Sequence, residues 1–418
     1  MNTDLFENDL FPVDLAATVH PCAESQAPAA LLTTHEHIGF ELGWDHAHYG
    51  VTPPAPYAQE PSPLRHGWLA GEATFGVRTL KPTASVRQWL QLRLHAWLRG
   101  RSVELFQVTP NYLQRIDVSH CPITREVLGN ADGERRESSI DRVRNDAGYA
   151  AGNLVMMSTR ACVAKAAYRF EGAQAMARRL EADHERGNNA PVLQAGLSAV
   201  QWSRIAVLCS FVEPLPHARA CELPLLVLPP TRLRLFNPVQ ALQAFISQQL
   251  LSAGWSQRIN AIEALLPGQP ARRAFRSFFQ TLLPRVLESG RPGDAQRARW
   301  AVEDAWRHTA VLSRWVRFAL LLTPAQCESL LSRAAAQRLV PDGLRLEPLN
   351  DSEATDGWCL ASRGYVPHGL RRQPSTRAMS GGSARCFATA PRRESLQRPR
   401  SPQAMFVGSQ SGVKSLGL

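Results

Sequence analysis

Proline positions constrain where helices in this chain are expected to begin and where they are expected to break. Pro53, Pro54, Pro56, Pro61 and Pro63 crowd residues 51–66, and each ring removes an amide donor and fixes φ. That segment is predicted to be an ordered loop or a polyproline stretch. Pro82 instead precedes a stripe of Val86, Trp89, Leu90, Leu94, Trp97 and Leu98 at three- and four-residue spacing, an amphipathic helix that Gly100 stops. Arg87, Arg93 and Arg99 fall mostly off the stripe. Farther on, Asn237-Pro238 and Thr323-Pro324 each offer a side-chain oxygen at an N-cap, with proline where no donor is needed. Residues 195–345 are therefore predicted to be mainly helical, with Trp300, Trp306 and Trp315 packed between helices. Cys221 to Pro230, apolar and bounded by proline, reads as a buried strand.

The middle of the chain carries mixed signals. Val103 to Val108 is a plausible strand, Thr109-Pro110-Asn111 a turn or helix start, and Cys121 to Thr124 a second short extended piece. A polar stretch from Gly129 to Glu137 precedes the strand-like Ser139 to Val143. From Asn153 through Leu180 the run is Ala-rich and reads as helix. The expected fold class is α+β: a mixed region over 1–100, a small α+β unit over 101–190, a mainly helical domain over 191–350, and a tail over 351–418. A length of 418 residues fits two or three domains. Hydrophobic residues at 44% and charged residues at 20% exclude collagen-like, coiled-coil and wholly disordered chains.

Charge is unevenly placed. From Leu360 onward nine Arg and one Lys face only Glu394, a net of +9 within the chain's +11, so about +2 is left for residues 1–359. With no hydrophobic period the tail reads as disordered, and its arginines can hold polyanions without specifying one. The basic balance is thus no argument that the folded body binds nucleic acid. No apolar run approaches the roughly 20 residues that span a bilayer, and the acidic Met-Asn-Thr-Asp opening has the wrong charge for a secretory leader. The eight cysteines are scattered with no Cys-x-x-Cys pair, which predicts reduced thiols in a cytoplasmic protein.

The most informative constellation is Cys121-Pro122-Ile123-Thr124, then Ser139-Ile140-Asp141-Arg142-Val143-Arg144-Asn145-Asp146-Ala147-Gly148-Tyr149, then Gly152-Asn153-Leu154-Val155 and Arg160 to Lys165. In order and spacing it resembles the HNH endonuclease superfamily, specifically phage-type members with a Cys-Pro-x-Thr opening and a Ser-x-Asp-Arg-x-x-Asn-x-x-Gly-Tyr-x-x-x-Asn core. The resemblance spans roughly Ser119 to Arg178. It implies a ββα-metal unit that hydrolyses phosphodiesters in DNA with one divalent ion, magnesium or manganese, and a base. Asp141 would be the strand metal ligand and Asn153 the loop residue that orders the site. Arg142 stands where the general-base His usually is, and Cys162 where a helix His or Asn usually completes the metal site. Guanidinium cannot accept a proton at neutral pH, though it can clamp a phosphate. A thiol suits a hard cation poorly. Phage-type members often share the Asp-Arg pairing, and His120 is the nearest candidate base. Arg142, Arg144, Arg160 and Lys165 would contact phosphates.

Blander readings stand beside these roles. Asp141 can cap or turn the chain, Asn153 can cap the following helix, Cys162 can be a small buried residue, and His120 a turn histidine. The resemblance therefore implies either a metal-dependent DNA endonuclease or a degenerate HNH-like module that binds nucleic acid or protein. The helical C-terminal domain is a candidate protein-binding part. A second cluster, His35-Glu36-His37 with Asp45-His46-Ala47-His48, could place alternate imidazoles of a strand on one metal. Its simpler reading is a His-rich surface hairpin with Trp44 and His46 partly packed. Phosphate-cradling Gly loops and a Gly-x-Ser-x-Gly elbow are missing from the sequence.

Overall fold

The computed structural model describes residues 29–131, 134–136, 138–186, 193–289 and 294–339. The expectations for residues 1–28 and for the basic tail lie outside them. The described residues begin with α1 Ala29–His48, α2 Pro63–Phe75, α3 Ala84–Leu98 and α4 Pro110–Ile116. Strands β1 Gly129–Ala131 and β2 Glu134–Arg136 form one antiparallel pair, and β3 Ser138–Arg142 and β4 Leu154–Ser158 a second. Two helices follow, α5 Thr159–Lys165 and α6 Phe170–Glu185. Helices then predominate among the described residues: α7 Ala199–Phe211, α8 His217–Cys221, α9 Pro238–Gln249, α10 Trp255–Leu265, α11 Gly268–Ser289, α12 Ala295–Ala305, α13 Thr309–Ala319 and α14 Pro324–Ala336. The described architecture is α+β with helix dominant, and one connected core runs from Leu42 to Ala334. Among the described residues no helix is long and apolar enough to cross a membrane.

Several helix starts follow the sequence signals directly. Thr323 and Gln326 close a capping box at α14, and Thr109 accepts the Tyr112 amide at α4. Asn237 precedes Pro238 at α9 as expected, but its side chain faces inward. It donates to the Ser210 and Glu213 carbonyls and accepts from Leu215 N–H, each at 2.9 Å. Trp306 and Trp315 are buried against each other and against Phe278, with ring centroids 5.2–5.4 Å apart. Trp300 is half-buried beneath the Arg125 guanidinium.

Other expectations are corrected. The His-rich stretch is helix α1 and not a hairpin, so His35, His37, His46 and His48 do not alternate on a strand face. His37 pairs with Glu41 one turn on, while buried His46 bonds the Leu42 carbonyl at 2.8 Å. Burial lowers the His46 pKa. Val103 to Val108 is not a strand: one bridge from Val103 to Tyr149 is followed by a turn closed on the Glu104 carbonyl. Cys121 to Thr124 is a tight turn with Arg125 N–H bonded to the Cys121 carbonyl, rather than an extended piece. Asn153 to Leu180 is broken, because Leu154 to Ser158 pair with β3 and are all buried. Cys221 to Pro230 is mostly buried, with Glu222 exposed, but pairs with no strand among the described residues; Leu228 N–H goes instead to Glu303. Arg93, placed off its stripe, is buried on α3, paired with Asp45 and lying over Trp89.

An ionic knot holds the Cys-Pro-x-Thr turn against the helical half. Arg125 reaches Asp304 at 2.7 Å and Glu303 at 3.1 Å, and Arg299 meets Glu303 at 3.3 Å. Arg204 donates to the Ile123 carbonyl at 3.1 Å. Burial first, and then the neighbouring Arg125, lower the Arg204 pKa to about 10.

Candidate functional site

Asp141 sits one residue from the end of β3, on the strand face that looks at α5. Ser139 shares that face, two residues back, and its hydroxyl lies 3.6 Å from Cys162 Sγ. Ile140, on the other face, goes into the core. Because β4 runs straight into α5, capped by Ser158, residues 162 and 165 are delivered opposite Asp141. Cys162 Sγ lies 3.5 Å from Asp141 Oδ1. The structure thus brings together the two residues proposed as metal ligands.

Lys165 accompanies them. Its Nζ lies 2.8 Å from Asp141 Oδ2 and donates to the Arg142 carbonyl at 2.9 Å and to Asn145 Oδ1 at 3.4 Å. Three acceptors thus match the three N–H groups of a side chain with no exposed surface. Burial alone would lower the Lys165 pKa, but the adjacent carboxylate outweighs it and the pKa is raised. Burial, and then the same carboxylate, push the Cys162 thiol well up, so it stays protonated at neutral pH. Around Asp141 there is therefore one carboxylate already holding an ammonium, beside a neutral thiol. That donor set does not fit a divalent ion. Among the described residues no group of three His, Cys, Asp or Glu is placed to hold a metal.

The loop from 143 to 153 is tied by the remaining candidates. Asn153 is completely buried; its Oδ1 accepts Arg144 N–H at 2.9 Å and its Nδ2 donates to the Arg144 and Gly148 carbonyls at 3.0 Å. The side chain acts as an extra peptide group within the loop, not as a helix cap. Arg142 Nη1 donates to the Asn145 and Ala147 carbonyls, and its guanidinium lies over Tyr149. Arg144 is buried, bonded to Asp146 and to the Val212 carbonyl. Arg160, exposed on α5, pairs with Glu126 at 2.5 Å. His120 bonds Ser119 at 3.0 Å and meets Trp300 edge-on at 5.3 Å.

A separate cleft escaped the sequence reading. Arg115 from α4 and Arg232 and Arg234 from the segment before α9 line a hollow of about 230 Å³ with Gln107, Thr109 and Asn111. The alternation Arg232-Leu233-Arg234-Leu235, with both leucines buried, is the signal that points to it.

The buried thiols give a pH prediction. Desolvation raises Cys209 and Cys327 to about 12 and Cys221 to about 11, against an ordinary 9.0. Groups with raised folded pKa values stabilise fully below pH 9, and that stability is lost as pH rises through the folded values. Lys165 shifts in the same sense, above its ordinary 10.5. Urea unfolding under reducing conditions is expected to show stability falling above about pH 9, by about 1.4 kcal/mol per pH unit for each thiol. A flat profile from pH 8 to 11 would contradict these assignments. Compared with family models, curated proteins and solved structures, the chain has no match in any of the three.

Proposed function

We propose that this chain contains a catalytically silent HNH-like unit, in which the Lys165 ammonium takes the place of the divalent ion, and that it binds nucleic acid without cutting it. The observation that carries the reading is the fully buried Lys165 Nζ, 2.8 Å from Asp141. A hydrolytic cation must keep an open side for a phosphate oxygen and the leaving group. An ammonium with all three donors engaged and no exposed surface offers none. Arg142 cannot act as a base, and its guanidinium is spent on loop carbonyls. Buried Arg144 and Lys165 are likewise not presented to a phosphate. The cleaving alternative, with Asp141 and Cys162 on magnesium or manganese, draws on their 3.5 Å approach but needs Lys165 to leave the carboxylate.

The test is a plasmid nicking assay with the full chain in magnesium or manganese, beside Asp141→Ala and a chelator control. The expected result is no metal-dependent nicking together with salt-sensitive DNA binding. Nicking that disappears with the chelator and in Asp141→Ala would establish the endonuclease instead. Neither cutting nor binding would transfer the function to a protein partner of the helical half.

A further inference from the structure

We infer that the nucleic-acid surface is the arginine cleft beside α4, not the surroundings of Asp141, and that it takes a single strand with one phosphate in the cleft and the neighbouring base on Phe106. This rests on the nucleic-acid reading above and adds where the strand lies and in what form. Arg115, Arg232 and Arg234 supply three cationic side chains to a hollow with no Asp or Glu in its lining. Among the described residues neither Arg115 nor Arg232 is in an ion pair. Gln107, Thr109 and Asn111 add neutral hydrogen-bonding groups.

The hollow, at about 230 Å³, is smaller than the roughly 300–1,000 Å³ of sites that enclose a small molecule. It suits a phosphodiester passing through better than a whole nucleotide held inside. Arg232 also holds a left-handed backbone, φ +66°, where glycine is the comfortable residue. A charged side chain is therefore kept at some local cost on the cleft's edge.

Phe106 provides the other half of the strand's chemistry. It is 98% exposed at the crest of the turn between Glu104 and Thr109, next to the cleft residue Gln107. A fully exposed Phe on an ordered turn contributes nothing to the core, and a base can stack on either face of its ring. Bases are free to do so in a single strand but are already stacked in a duplex. Cations that follow the backbone beside an aromatic platform are the combination that single strands require.

The experiment is fluorescence anisotropy of the full chain with a labelled mixed-sequence DNA strand and the same sequence as duplex, over a salt series. Arg115→Gln/Arg232→Gln is expected to weaken single-strand binding and to reduce the salt slope by about 0.7, the value for the one phosphate contact the cleft makes. Phe106→Ala is expected to weaken it roughly 5- to 100-fold with the slope unchanged. Arg371→Gln/Arg372→Gln, removing equal charge from the tail, is expected to change little. If the cleft and tail variants weaken binding equally, or Phe106→Ala has no effect, or duplex binds as tightly as single strand, the inference fails while nucleic-acid binding stands. If the unaltered chain binds neither probe, the functional reading itself falls.

Discussion

Replacing Lys165 with methionine is expected to cost about 3–5 kcal/mol of folding stability, because it leaves the Asp141 carboxylate largely buried with only a thiol beside it. Methionine keeps most of the side-chain volume, so the loss reports charge rather than a cavity. Asp141→Asn should destabilise for the mirrored reason, stranding an ammonium between the Arg142 carbonyl and Asn145. The double variant, with neither charge left, is expected to lose far less than the two single losses together, since a buried ion pair is often worth little against a neutral pair of the same shape. Urea unfolding of the four proteins near pH 7 yields the coupling directly. Additive losses would mean that the two groups do not act as a pair. That outcome would also remove the ground for treating Lys165 as the cation of the site.

The sequence made the placement of Asp141 legible but not its state. Ser-x-Asp-Arg on a strand, followed by a helix carrying Cys162, is enough to expect the carboxylate and the thiol on facing elements, and they lie 3.5 Å apart. Lys165, one turn beyond Cys162, looks in sequence like any surface lysine available to phosphate. Nothing in the residue type reveals that it is buried, because burial is set by how β4 runs into α5 and by the packing of α7 behind it. Asn153 shows the same limit. Its side chain bonds the Arg144 amide and the Arg144 and Gly148 carbonyls, in the loop where the resemblance places it. The helix expected after it was not found, because Leu154, Val155, Met156 and Met157 are claimed by the β3 ladder. Of the two capped starts that the sequence offers, Thr323 caps α14, since an N-cap depends on a few adjacent residues only, whereas Asn237 makes no cap bond at α9; Thr109, open between a turn and a helix start, caps α4.

The His-rich stretch shows a misread period, and its correction leads to the second large effect. Taken two by two, His35, His37, His46 and His48 suggest a strand, but Gly39, Gly43, Gly67 and Gly71 are spaced four apart and mark close helix contact. A Cβ on Gly43 would come within 1.9 Å of the Leu64 carbonyl oxygen, and one on Gly67 within 1.9 Å of the Phe40 carbonyl oxygen. Phe40 opposes Gly67 and Trp44 opposes Gly71, so α1 and α2 run in the same direction and the proline-rich residues 49–62 carry the chain back. In an ordinary helix Gly→Ala gains about 1 kcal/mol. At Gly43 or Gly67 the obstacle is backbone, which cannot rotate away, and Ala is expected to lose about 3 kcal/mol through overpacking. Gly172→Ala on α6 is the contrasting case. There the nearest atoms belong to the Tyr168 side chain, at 2.9 Å, which can shift. The same substitution is expected to be neutral or mildly stabilising. Thermal or urea unfolding of the three variants separates the readings: equal behaviour would show that α1 and α2 do not touch, and opposite signs would locate their contact at Gly43 and Gly67.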